Sequence, residues 1–113
     1  MLVVILSGPE DWTNARQGIV FALNSERAGM LETVELLFFG AGVRLMDAGF
    51  VHAPEFHGLL KECDEEGLVP RACSGNLAEF KLQAQGKKLG LDPVGAQTYI
   101  PSKIRDGYQV LTF

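Results

Sequence analysis

The chain predicts an α/β domain of three layers, α/β/α, built on a mostly parallel sheet of about five strands. Apolar runs of strand length alternate with segments of helical periodicity, the first run lacks the polar alternation of a half-exposed strand, and Gly, Pro or Ser residues punctuate the boundaries. The 113 residues make one domain, 1–113, and 47 % hydrophobic with 21 % charged content is the balance of a folded chain. No internal repeat, low-complexity segment or linker divides it.

Residues 2–6 are all apolar and are closed by Ser7-Gly8-Pro9, which predicts a strand buried on both faces. Pro9, Glu10 and Asp11 supply first-turn chemistry for a helix whose Trp12, Ala15, Ile19, Ala22 and Leu23 share one stripe and which ends near Gly29. A second strand over 33–39 turns at Gly40-Ala41-Gly42 into a short helical stretch around 43–48. Pro54 opens a helix with Phe56, Leu59, Leu60 and Cys63 on its apolar face, and Gly67 stops it. Residues 68–73 form a short third strand despite Pro70, which lacks a ladder donor. Ser74 or Asn76 caps a helix carrying Leu77, Phe80, Lys81 and Ala84. Residues 86–92 read as a loop, 94–100 as a fourth strand, 101–106 as one helical turn and 108–113 as the last strand.

Ten Lys and Arg against 14 Asp and Glu leave a net charge of −4, with no basic footprint for nucleic acid or an anionic membrane. The first apolar run has no basic leader, and no stretch reaches the ~20 apolar residues of a membrane span, so a cytoplasmic protein is expected. The two cysteines, Cys63 and Cys73, are too few for a disulfide scaffold and too far apart for a Cys-x-x-Cys pair. His52 and His57 have the wrong spacing for helical metal ligands, with Pro54 between them. Gly40-Ala41-Gly42 lacks the third glycine of a dinucleotide fingerprint, since Leu45 stands there. Neither a metal nor a cofactor is expected.

Ligands of open α/β sheets bind beyond the carboxyl ends of the strands. Cys73 ends the third predicted strand, directly before Ser74-Gly75-Asn76 and a helix start, where free backbone N–H groups favour a thiolate. Cys63, on the apolar stripe of its helix, reads as a packed core residue.

The order of elements, with Phe38-Phe39-Gly40-Ala41-Gly42-Val43 after the second strand, Cys73 following Glu66-Gly67-Leu68-Val69, and the terminal Val110-Leu111-Thr112-Phe113, resembles the DsrE/DsrF-like (YchN-like) family of small sulfur-relay proteins. The resemblance spans essentially the whole chain and implies a three-layer fold on a parallel sheet, a homotrimer or hexamer, and a persulfide carried by Cys73. Where members of that family commonly continue through small apolar residues, this chain has Ser74-Gly75-Asn76.

Two functions follow. In the first, the chain is a sulfur carrier or sulfurtransferase: Cys73 is the nucleophile, Ser74, Gly75 and Asn76 offer backbone N–H groups, and Gly40 and Gly42 leave room for the donor. Its partners are sulfur donor and acceptor proteins or small sulfane-sulfur compounds. In the second, Cys73 is merely packed and the chain is a non-catalytic small-ligand-binding or assembly module, its cleft lined by Trp12, Asn14, Arg16, Gln97 and Tyr99. A mean hydropathy of +0.12 in so small a chain suggests surplus apolar surface, with Phe38, Phe39, Leu45, Met46, Phe50, Val110, Leu111 and Phe113 as the expected association surface.

Overall fold

Five strands form one sheet in a computed structural model that describes residues 1–113. Strand β1 (Leu2–Ile5) lies between β2 (Glu35–Phe38) and β5 (Val110–Thr112), and β3 (Pro70–Cys73) and β4 (Asp92–Val94) continue beyond β2. The order is β4-β3-β2-β1-β5, and every neighbouring pair is parallel. All four residues of β1 are buried, which explains why this run carries no polar alternation. Pro70 is accommodated as the first residue of its strand, and Pro93 sits on the edge strand β4, where a missing N–H costs little.

Register and side-chain alternation divide the sheet into two faces. Val3, Ile5, Leu36, Phe38 and Ala72 share one. Helix α1 (Trp12–Ala28), entered through a 3₁₀ turn at Pro9–Asp11, and helix α2 (Ala53–Glu65) cover this face: Gly18 lies against Ile5, and the Phe56 ring meets Phe38 edge-on at 5.5 Å. Glu35, Leu37, Arg71 and Cys73 point the other way. There α5 (Ala96–Arg105) packs through Tyr99 and Lys103, completing the three layers.

Helix α2 ends in a Schellman motif: Gly67 adopts φ +77°, and the Leu68 N–H donates to the Cys63 carbonyl at 2.8 Å. The same closure interrupts the helix expected from Ser74 through Ala84. Two helices stand there, α3 (Ser74–Glu79) and α4 (Gln83–Lys88), because Leu82 N–H donates back to Leu77 O at 2.8 Å with Lys81 at φ +56°. A lysine occupies the place where glycine is usual, so the sequence carries no stop signal.

The expected loop over 86–92 therefore begins as α4, and the expected strand over 94–100 is corrected to the end of β4 followed by α5. The Gly95 carbonyl accepts the Tyr99 N–H at 2.8 Å and the Thr98 hydroxyl at 3.1 Å, starting a helix. Thr98, Tyr99 and Ile100 favour strand by propensity, but Tyr99 and Lys103 one turn apart both reach Glu35, and this tertiary pairing prevails. The expected turn over 101–106 is the second half of the same helix, with Pro101 inside it.

Most of the expected association surface lies in the core. Phe38, Leu45, Met46 and Phe50 are buried within the single chain, Phe39, Val110 and Phe113 are half-buried, and Leu111 is exposed. Of the large apolar side chains, Leu6, Phe21, Met30, Leu31, Val51, Val69, Ile104 and Leu111 stay exposed. No helix is long and apolar enough to cross a membrane.

The 3₁₀ segment Gly40–Met46 follows β2, and Gly42 within it packs directly on the backbone of β1: a Cβ there would stand 2.0 Å from the Ile5 carbonyl oxygen. Gly42→Ala is therefore expected to destabilise the fold by about 1–3 kcal/mol or more, as overpacking against backbone does. Lys81→Gly, which relieves a left-handed side chain, is expected to stabilise it by up to ~1 kcal/mol. Urea unfolding midpoints of the two variants check both signs.

Candidate functional site

Cys73 is the last residue of β3, and α3 begins at the next residue. The first N–H groups of any helix lack intrahelical acceptors, so the backbone beside this sulfur is rich in free donors. Cys73 is 7 % exposed, and what is exposed faces a cleft of about 350 Å³. One wall is Ser74, Gly75 and Asn76; another is Phe39, just past β2; the third is Gly95, Ala96 and Gln97, where β4 passes into α5. A Cβ on Gly75 would lie 3.8 Å from the Cys73 Sγ, so this glycine leaves one flank of the sulfur uncovered.

Asn76 works as a brace. Its Oδ1 accepts the Gly40 N–H at 2.8 Å, and its Nδ2 donates to Glu79 Oε1 at 3.1 Å. Both ends of the amide are thus engaged within the protein, and the first turn of α3 is tied to the turn that follows β2. Gly40, at φ +58°, presents the N–H for this bond. Neither Gly40 nor Gly42 lines the cleft, and the room beside Cys73 comes from Gly75 and Gly95 instead. The structure thus brings Cys73, Ser74, Gly75 and Asn76 together and places the two earlier glycines behind them as structural turns.

Phe39, Gly95 and Ala96 are cleft residues that sequence reasoning missed. Gly95 could have been found as a glycine between an apolar pair and a Thr three residues on, a helix-start pattern that the β-branched residues obscured. Of the five residues expected to line a ligand cleft in the alternative function, only Gln97 does so. Trp12 lies in an aromatic cluster with Phe50, His52 and Phe56 and donates its Nε1–H to Glu55 at 3.0 Å. Arg16 pairs with the same carboxylate at 3.0 Å, and Asn14 donates to Ser7 Oγ.

Tyr99 belongs to a charged layer beneath the cleft. Glu35, whose side chain is only 12 % exposed, pairs with Arg71 at 3.1 Å and Lys103 at 2.7 Å and accepts the Tyr99 hydroxyl. The Lys103 ammonium lies 5.2 Å from the Tyr99 ring centre and 4.8 Å from that of Tyr108. Its hydrogen bond to Glu35 raises the Lys103 pKa and keeps it charged. This layer holds α5, and with it one wall of the cleft, on the sheet. The cleft wall itself contains no charged side chain.

The two cysteines differ sharply. Cys63 is completely buried in α2, and burial, assisted by Glu62, pushes its thiol up to about 11. Cys73 opens on the cleft, and neither is in a disulfide.

No family model matches the chain, and no curated protein does. Solved structures do. A conserved protein of unknown function from Bacteroides thetaiotaomicron superposes with a TM-score of 0.80 at 17 % identity, over 99 % of this chain and 93 % of that one. A protein of unknown function from Methanobacterium thermoautotrophicum gives 0.68 at 20 % identity, over 99 % and 97 %. The likeness is one of fold. Both matches run across the whole domain, so the layered sheet that presents Cys73 is an architecture of complete solved chains.

The contrast between the cysteines sets two expectations. Iodoacetamide at neutral pH should modify Cys73 in the native protein and reach Cys63 only after unfolding, as peptide mapping reads directly. The Cys63 pKa is raised on folding from 9.0 to about 11, so the folded state resists thiolate formation there. Its contribution to stability is intact below pH 9 and lost as pH rises through about 11. Chemical unfolding from pH 8 to 11 should show a steeper alkaline loss for the wild type than for Cys63→Ala.

Proposed function

We propose that this chain is a sulfur carrier or transferase that holds a persulfide on Cys73 and relays it between partner proteins or small sulfane-sulfur compounds. The observation that carries the proposal is an unpaired cysteine at a strand's carboxyl end, open to a cleft and flanked by Gly75, while the second cysteine is sealed in the core. The resemblance to the DsrE/DsrF-like family supports the same reading and adds a homotrimer or hexamer; the location that goes with it is the cytoplasm, expected from the lack of a basic leader.

The chemistry needs no cofactor. The Cys73 thiolate attacks the outer sulfur of a donor persulfide, R–S–S⁻. A new S–S bond forms at Cys73, the donor's S–S bond breaks, and its thiolate RS⁻ leaves with the electron pair. An acceptor nucleophile then takes the outer sulfur by the same exchange and returns Cys73 to the thiolate. No net oxidant or reductant is consumed. α3 begins at the residue after Cys73, so its first N–H groups are available to the sulfur's negative charge, and Asn76 ties that turn to the one that follows β2.

Incubation with glutathione persulfide followed by mass spectrometry is expected to give an adduct of about 32 Da on the Cys73 peptide, removable by a thiol acceptor. Cys73→Ser should fold normally and carry none. An adduct that persists in Cys73→Ser, or no adduct on the wild type, would leave the packed-cysteine alternative, a ligand-binding or assembly module, in its place. With Cys73 kept, Asn76→Ala is expected to slow adduct formation about tenfold through loss of the brace to Gly40, with Cys73 still the modified residue.

A further inference from the structure

A second cavity, of about 380 Å³, is lined by residues of α3, α4 and β4 together with Leu91. We propose that it binds a small organic monoanion: a carboxylate on a short alkyl or aryl body.

Three observations specify this ligand. The volume falls within the range of small-molecule sites, about 300–1,000 Å³. Leu77 and Leu91 make the inner wall and are nearly inaccessible from outside (4 % and 5 %), with the exposed Pro93 at its edge, so the space beside them suits an apolar body. The remaining lining residues are Ser74, Gln83 and Lys87. All three are exposed at the rim of the cavity, and none is held by a hydrogen bond or ion pair within the protein, so each is free to turn to a ligand seated on the leucines.

Lys87 is the only charged group lining the cavity, and no carboxylate opposes it. One positive charge at the rim of an apolar wall matches one negative charge on an apolar molecule; a dianion would keep half its charge unpaired, and a cation would be repelled. Ser74 and Gln83 can donate to the second carboxylate oxygen. The floor is set by Gly86: a Cβ there would come 3.1 Å from Leu77 Cδ2, so glycine lets α4 approach α3 and leaves Leu77 in place as the back wall.

This site is separate from the sulfur chemistry. Pro93 pairs in register with Ala72, on the sheet face opposite Cys73, and the two cavities share only Ser74 among their lining residues. Binding there does not depend on whether Cys73 carries sulfur.

Titration of the ¹⁵N-labelled full chain with hexanoate or phenylacetate tests it. Saturable amide shifts are expected at Leu77, Gln83, Lys87 and Leu91, with hexanol and hexylamine binding at least about tenfold more weakly, as loss of a charge-assisted contact entails. Lys87→Met, an exposed position with similar side-chain length, should weaken hexanoate about tenfold, while Lys88→Met and Cys73→Ser should leave it unchanged. Shifts that do not saturate, hexanol binding as tightly as hexanoate, or a Lys87→Met protein that binds like the wild type would each overturn the proposal.

Discussion

The carbonyl of Ile5 at the end of β1 is the point on which the rest of this molecule is keyed. It accepts the Phe39 N–H at 3.0 Å and is capped by the bare Cα of Gly42, so the turn after β2 has one possible seat on β1. That seat fixes Gly40, Gly40 holds Asn76, and Asn76 holds the first turn of α3 immediately beyond Cys73. A backbone contact between two central strands therefore reaches the sulfur through one glycine and one amide. Tertiary coupling of this kind passes through short rigid links, and each of them here is a hydrogen bond or a van der Waals contact with no flexible side chain in between except the amide itself.

Much of the fold was legible because burial writes itself into patterning. The unbroken apolar run of β1, the stripe of α2 and its glycine stop each have one structural solution, and the structure adopts them. The failures share a cause. Lys81 takes a conformation that its side chain disfavours, and Thr98 to Ile100 take a helix against their propensity; in both, contacts distant in sequence outweigh the local preference. The candidate site was legible where it depends on sequence adjacency, from Cys73 to Asn76. It was illegible where walls come from other strands: Phe39 and Gly95 approach Cys73 only through the register of β2 and β4 against β3. The glycines at 40 and 42 looked like space for a ligand because a string of residues does not reveal that β1 occupies it.

The charge distribution separates reactivity from structure. The cleft wall is neutral, and the strong ion pairs lie one step down the same sheet face around Glu35. Polarity beside Cys73 is therefore supplied by the backbone and by uncharged Ser74, Asn76 and Gln97, which act at short range. Distant surface charges such as the Arg27 pair with Glu62 and Glu66 serve to join α1 to α2 and lie outside the cleft.

The attachment of α5 has a thermodynamic consequence. Ala96 is the only fully buried residue of the helix, Tyr99 and Ile100 pack half-buried against the core, and the carboxylate of Glu35 adds its hydrogen bond and ion pair to that apolar contact. Detaching the helix would both uncover apolar surface and break the Glu35 contacts, so that local opening carries a denaturant dependence and also shifts with ionic strength. Amide exchange in α5 would then respond to urea and to salt, whereas the central strands, whose protection depends on the hydrophobic core, respond to urea far more than to salt. The molecule thus has two kinds of cohesion in one sheet, and the wall of the cleft draws on both.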